Sequence, residues 1–95
     1  MGIFDSLFKK EDYSQLVKDG ALVIDVRTPE EFKEGNVKGS KNIPLNVIST
    51  RVKELEGKKI VLVCRSGARA SQALSILTSN GIDAVNAGAW TNVNV

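Results

Sequence analysis

The sequence predicts a small three-layer α/β sandwich, a mostly parallel central sheet flanked by helices. Three observations lead there. Two apolar runs, Ala21-Leu22-Val23-Ile24 and Ile60-Val61-Leu62-Val63, are continuous rather than alternating, the mark of strands buried on both faces. Helix signals separate and follow these runs, giving the order β-α-(β)-α-β-α-β. At 95 residues the chain has the size of one domain, here read as 1–95 with residues 1–10 as a lead-in.

Glu11 to Lys18 has helical composition, and Gly20 is placed to end it. The first apolar run follows, with Asp25 and Arg27 at its end, where open α/β sheets place their sites. Two roles stand for this pair. Either one of them is catalytic, or Asp25 accepts backbone hydrogen bonds while Arg27 pairs with Glu31. Thr28-Pro29-Glu30-Glu31 is a helix start: a capping residue, proline at the first position and acids in the first turn. Gly35 and Asn36 break that helix early. Residues 35–45 read as an irregular connection with one short strand before Pro44.

Val47, Ile48, Val52 and Leu55 recur at helical spacing, and Gly57 closes that segment. The second apolar run leads into Cys64, the only cysteine. Beyond a short polar loop, Ala70, Ala73, Leu74 and Leu77 lie at i, i+3, i+4 and i+7, predicting a helix over 68–79. Asn80-Gly81 then turns the chain into a short strand over 82–86.

Cys64 is therefore expected at the end of a buried strand, with the loop curled around it and a helix N-terminus aimed back at it. The first amides of a helix lack intrahelical acceptors, and a curled loop turns successive N–H groups inward as an anion nest. A sulfur anion at that focus is stabilised, and Arg65 and Arg69 add full charges nearby. Gly67 supplies a backbone conformation that other residues resist.

These residues resemble a family. Cys64-Arg65-Ser66-Gly67-Ala68-Arg69, a cysteine and an arginine separated by four residues, is similar to the active-site loop of single-domain rhodanese-like sulfurtransferases. Leu22 to Phe32 resembles the first signature of that family, and Gly35 to Leu45 its second. With Asn80-Gly81 and Val85-Asn86 the likeness spans about residues 12 to 90. Two departures stand out: Asn36 replaces a histidine common in the family, and the chain shortens after residue 88, with Trp90 close to its end. Trp90 is read as a core or interface residue in preference to a substrate lid. A homodimer covering the shortened end is one expected consequence.

The resemblance implies a rhodanese fold and transfer of sulfane sulfur by double displacement. Cys64 takes sulfur from a small anionic donor, thiosulfate or a persulfide, and passes it to cyanide, a thiol or a protein acceptor. Substrate contacts fall to the loop amides and side chains of Arg65, Ser66, Gly67, Ala68 and Arg69. Asp25, Arg27 and Glu31 become structural support. The alternative is a non-catalytic binding or sulfur-carrier module of the same fold. A cysteine phosphatase or arsenate reductase is disfavoured, since such loops place five residues between cysteine and arginine. A thiol–disulfide oxidoreductase would need a resolving thiol from elsewhere.

Composition closes off other classes. Apolar residues make up 42% and charged residues 25%, ordinary for a soluble domain. Residues 51–69 hold six Lys/Arg against two Glu, an excess around the cysteine that favours small anions. With few aromatics and no basic run interleaved with them, no nucleic-acid role is expected. One cysteine and no histidine build no metal site, and no cofactor is expected. No stretch is long enough to span a membrane. The start lacks a basic then apolar leader, and a lone thiol suits a reducing compartment, so a cytoplasmic location is expected. Met1-Gly2 with Ser6 formally fits a myristoylation signal, but so short a pattern arises by chance. Ile3, Phe4, Leu7 and Phe8 are read as a helical turn packing on the domain.

Overall fold

The computed structural model describes residues 13–94, so the expectations for the lead-in and its apolar cluster lie outside the described residues. Helix α1 (Tyr13–Lys18) precedes strand β1 (Leu22–Asp25), and helix α2 (Pro29–Glu34) leads to the short strand β2 (Lys41–Asn42). Helix α3 (Leu45–Ile48) and a 3-10 turn (Val52–Leu55) connect to β3 (Lys59–Cys64). Helix α4 (Ala68–Ser79), strand β4 (Asp83–Ala89) and a second 3-10 turn (Trp90–Asn92) follow.

The four strands form one parallel sheet in the order β2-β1-β3-β4. From β1 the chain steps outward to β2, then crosses to β3 on the other side of β1 and continues outward to β4. The strand order thus reverses between β1 and β3, the point where parallel α/β sheets open a crevice beyond their C-terminal ends. Asp25 ends β1 and Cys64 ends β3, so both candidate regions meet there.

Side chains alternate along β3 to make two cores. Ile60, Leu62 and Cys64 face one layer, where Ile48, Leu55, Ala70, Ala73 and Leu77 cover them from α3, the 3-10 turn and α4. Val61 and Val63 face the other, with Val37, Ala87 and Val93 and the flanking Tyr13, Leu16, Val17 and Trp90. Burial on both faces is what the unbroken apolar runs require. Among the described residues no helix is long and apolar enough to cross a membrane.

The structure corrects two element expectations. The helix expected through Val47 to Leu55 is broken into α3 and a 3-10 turn. Thr50 Oγ1 donates to the Val47 carbonyl at 2.7 Å, a local side-chain bond that competes with continued helix. The last strand runs to Ala89 rather than Asn86, carried by pairing with β3 despite its small residues. Its register shifts between the Leu62–Asn86 and Cys64–Ala89 pairs, a bulge at which Gly88 takes φ +81°.

Candidate active site

The loop after β3 folds back on the sulfur. Gly67 is the N-cap of α4, with φ +108° and ψ −15°, a conformation open mainly to glycine. Its N–H donates to Cys64 Sγ at 2.8 Å. A Cβ on Gly67 would lie 3.4 Å from Gly88 Cα, so the loop rests against the β4 bulge. Cys64 itself is 1% exposed. Among the loop residues Arg65, Ser66 and Ala68 are exposed, while Gly67 and Arg69 are half-buried.

Beneath the neighbouring strand end lies a buried ion pair. Arg27 Nε donates to Asp25 Oδ1 and Oδ2 at 2.9 and 3.0 Å, and Arg27 Nη2 to Oδ2 at 2.7 Å. The Arg27 backbone N–H also donates to Asp25 Oδ1 at 3.0 Å. What remains of the guanidinium is satisfied by carbonyls: Gly35 accepts from Nη2 at 2.6 Å and Glu31 from Nη1 at 3.2 Å. Asp25 and Arg27 are 0% and 4% exposed, and no buried polar side-chain atom of the described residues lacks a partner. Trp90 caps the cluster, its ring centroid 5.0 Å from Arg27 Cζ in a cation–π contact. The expected Arg27–Glu31 pairing is therefore corrected. Arg27 reaches the Glu31 backbone, and the Glu31 carboxylate is occupied elsewhere.

That carboxylate joins α2 to the cysteine loop. Arg69 Nη1 donates to Glu31 Oε1 at 2.7 Å and Nη2 to Oε2 at 3.0 Å, a fork-on-fork pair. Thr28 and Glu31 also complete a capping box. Thr28 N–H donates to Glu31 Oε1 at 2.9 Å, and Glu31 N–H donates to Thr28 Oγ1 at 3.2 Å. The Arg69 hydrogen bonds first, and the Thr28 amide second, hold the Glu31 carboxyl down at about 2. Arg69 is raised, chiefly by the same Glu31 hydrogen bonds. Arg65 points outward, 76% exposed, with Nη1 3.9 Å from Glu31 Oε2.

Two clefts flank this bridge. One of about 210 Å³ is lined by Arg27, Glu31, Glu34, Gly35, Arg65 and Trp90. The other, about 270 Å³ and mostly apolar, is lined by Val26, Thr28, Pro44, Leu45, Asn46 and Arg69. A larger cavity of about 350 Å³ is lined by Asn36, Val37, Lys38, Trp90, Thr91, Val93 and Asn94.

The rhodanese-like domain model matches residues 9–93. The chain belongs to the rhodanese-like domain family. It is 35% identical over 74 residues to a sulfurtransferase of Allochromatium vinosum, covering 75% of this chain and 69% of that one. Over 74 residues it is 34% identical to the thiosulfate sulfurtransferase PspE of Escherichia coli, covering 74% and 71%. Among solved structures, a rhodanese with anions from E. coli superposes with a TM-score of 0.66 at 32% identity, over 78% of this chain and 92% of that one.

Within this rhodanese-like domain the structure gives a supporting role to Asn86, to which the sequence assigns none beyond the family likeness. Asn86 Nδ2 donates to the Gly67 carbonyl at 3.1 Å, and Asn86 Oδ1 accepts from Gly88 N–H at 2.8 Å. One side chain thus ties the cysteine loop to the bulge of β4. A polar residue in the middle of the strand, followed by glycine two positions later, is the local hint of it. Asn36, at the family's histidine position, donates to the Phe32 carbonyl at 2.8 Å and closes α2.

Proposed function

We propose that this rhodanese-like domain is a sulfurtransferase that moves sulfane sulfur from thiosulfate or a persulfide to cyanide or a thiol through a Cys64 persulfide. The observation that carries this reading is the N–H of Gly67, the N-cap of α4, aimed at Cys64 Sγ at 2.8 Å. That donor stabilises negative charge on the sulfur before attack and on the terminal sulfur afterwards. The relatives from A. vinosum and E. coli, both named sulfurtransferases, support the same class.

In the first half-reaction the Cys64 thiolate attacks the outer sulfur of the donor. The donor's S–S bond breaks, a new S–S bond forms on Cys64, and sulfite or a thiolate leaves with the electron pair. In the second, the acceptor attacks that outer sulfur and the Cys64 thiolate is released. No histidine is needed, because the loop amides do the work of a counter-ion. The amides of residues 65–69 hold the oxyanion or persulfide charge, with Arg65 drawing the anion in. Arg69 anchors the loop through Glu31, and Asp25 with Arg27 holds the floor. The location favoured is the cytoplasm, where acceptor thiols are plentiful.

Intact mass spectrometry after brief incubation with thiosulfate tests the reading, run beside Cys64→Ser. The expected result is a gain of about 32 Da, one sulfur, removed by cyanide and absent from the variant. An adduct from a persulfide but not from thiosulfate keeps the class and fixes the donor. No adduct from either favours the binding module.

A further inference from the structure

The charge around Cys64 is more balanced than the linear sequence implies. Arg27 is matched by Asp25 and Arg69 by Glu31. Elsewhere in the basic stretch, Arg51 is matched by Glu54 and Lys59 by Asp83. Of the three arginines near the loop, only Arg65 is left largely to solvent, and Glu31 lies 3.9 Å away even from it. In the cleft beside Arg65 stands a second carboxylate, Glu34, which is exposed and has no ion-pair partner among the described residues.

This arrangement suits a dianion poorly. A small dianion beside Arg65 also meets Glu34, the carboxylate of this cleft that no arginine already matches. A ligand carrying one anionic and one cationic group meets a complement for each, since opposite charges within a few ångströms attract and like charges repel. The cleft's walls point the same way. Trp90 gives an aromatic side, and Gly35 contributes bare backbone, with a hypothetical Cβ only 2.9 Å from Trp90 Cη2. Its volume of about 210 Å³ compares with about 30 Å³ per water, room for more than a five-atom anion.

We propose that this cleft holds the carrier end of a zwitterionic low-molecular-weight persulfide, its carboxylate on Arg65, its ammonium on Glu34 and its carbon chain against Trp90. The proposal rests on the sulfur-transfer reading of Cys64 and names the donor class within it. The step balances: the Cys64 thiolate attacks the outer sulfur of RS–SH, the RS–S bond breaks, a Cys64 S–SH bond forms, and the thiolate RS⁻ leaves. The released amino thiol keeps the same two charges.

The test compares Cys64 loading rates, read by intact mass, for two persulfides that differ in the ammonium group. Cysteine persulfide has it and 3-mercaptopropionate persulfide lacks it. The ratio of the two rates is measured in the natural protein and in Glu34→Gln. Comparing this ratio between proteins cancels the intrinsic leaving ability of each thiol. The ratio is expected to fall about fivefold or more in Glu34→Gln, while loading from thiosulfate rises. A ratio unchanged by Glu34→Gln overturns the proposal while leaving sulfur transfer intact. Absence of an adduct from all three donors overturns the sulfur-transfer reading itself.

Discussion

Arg69, in the first turn after the cysteine loop, grips the Glu31 carboxylate with both terminal nitrogens across 38 residues of chain. The same carboxylate closes the capping box of α2. One side chain therefore sets the start of α2 and fixes the arginine that ends the loop. The positive charge of Arg69 serves geometry before it serves any ligand.

The acid limb of stability reports on that bridge. Glu31 ordinarily titrates near 4.5 and here is held to about 2, first by Arg69 and then by the Thr28 amide. A carboxyl whose folded value is depressed contributes stability that is complete above its unfolded value and is lost as pH falls through the folded one. The contribution of Glu31 should fade between about pH 4.5 and pH 2. Urea midpoints measured across this window should drop more steeply for the natural protein than for Glu31→Gln. Parallel curves would show that the bridge adds nothing in solution.

The Asp25–Arg27 pair calls for a different experiment, because both groups are buried. Arg27→Met keeps much of the side-chain volume but leaves the Asp25 carboxylate without its partner. It also strips the Gly35 and Glu31 carbonyls of donors. Breaking a buried pair from one side typically costs about 3–5 kcal/mol. Urea unfolding followed by the fluorescence of Trp90, which sits on Arg27, should register a loss of that order. A loss under about 1 kcal/mol would mean that the pair is not intact in solution.

What could be read from sequence was what is local. The capping box of α2 lies within four residues, and the two-faced burial of β1 and β3 is written in their unbroken apolar runs. Partners set by tertiary approach were not legible. An Arg27–Glu31 pairing assumes helical spacing, yet Arg27 precedes the N-cap Thr28 and curls back to Asp25 instead. Arg69 and Asn86 find their partners only once β1, β3 and β4 lie side by side. The basic excess over residues 51–69 is met in part by the same tertiary approach, Lys59 by Asp83 of β4 and Arg69 by Glu31 of α2.

Gly67 joins backbone conformation to the chemistry proposed for Cys64. At φ +108° an alanine is strained by its backbone conformation, while its Cβ would meet Gly88 Cα at an ordinary contact distance of 3.4 Å. Gly67→Ala should cost about 1 kcal/mol or somewhat more in stability. The loading rate of Cys64 should suffer more, because the amide aimed at Sγ must turn. Loss of one such preorganised donor typically lowers a rate about 10²-fold. Stopped incubations analysed by mass would separate the two effects. A loading rate that falls only in proportion to the unfolded fraction would remove Gly67 from the mechanism.

Asn86 allows the loop's support to be separated from the bulge beneath it. Its Nδ2 steadies the Gly67 carbonyl and its Oδ1 takes the Gly88 N–H. Asn86→Ala loses both bonds and leaves the Gly88 N–H without that acceptor, a cost of about 1–3 kcal/mol. Asn86→Asp keeps an acceptor for Gly88 but offers the Gly67 carbonyl no donor. If Asn86 positions the amide of Gly67, both variants should load sulfur onto Cys64 more slowly, by a similar factor, although aspartate should retain more stability. Slow loading in the alanine variant alone would place the role of Asn86 in the β4 bulge and leave the cysteine loop held by Glu31 and Arg69.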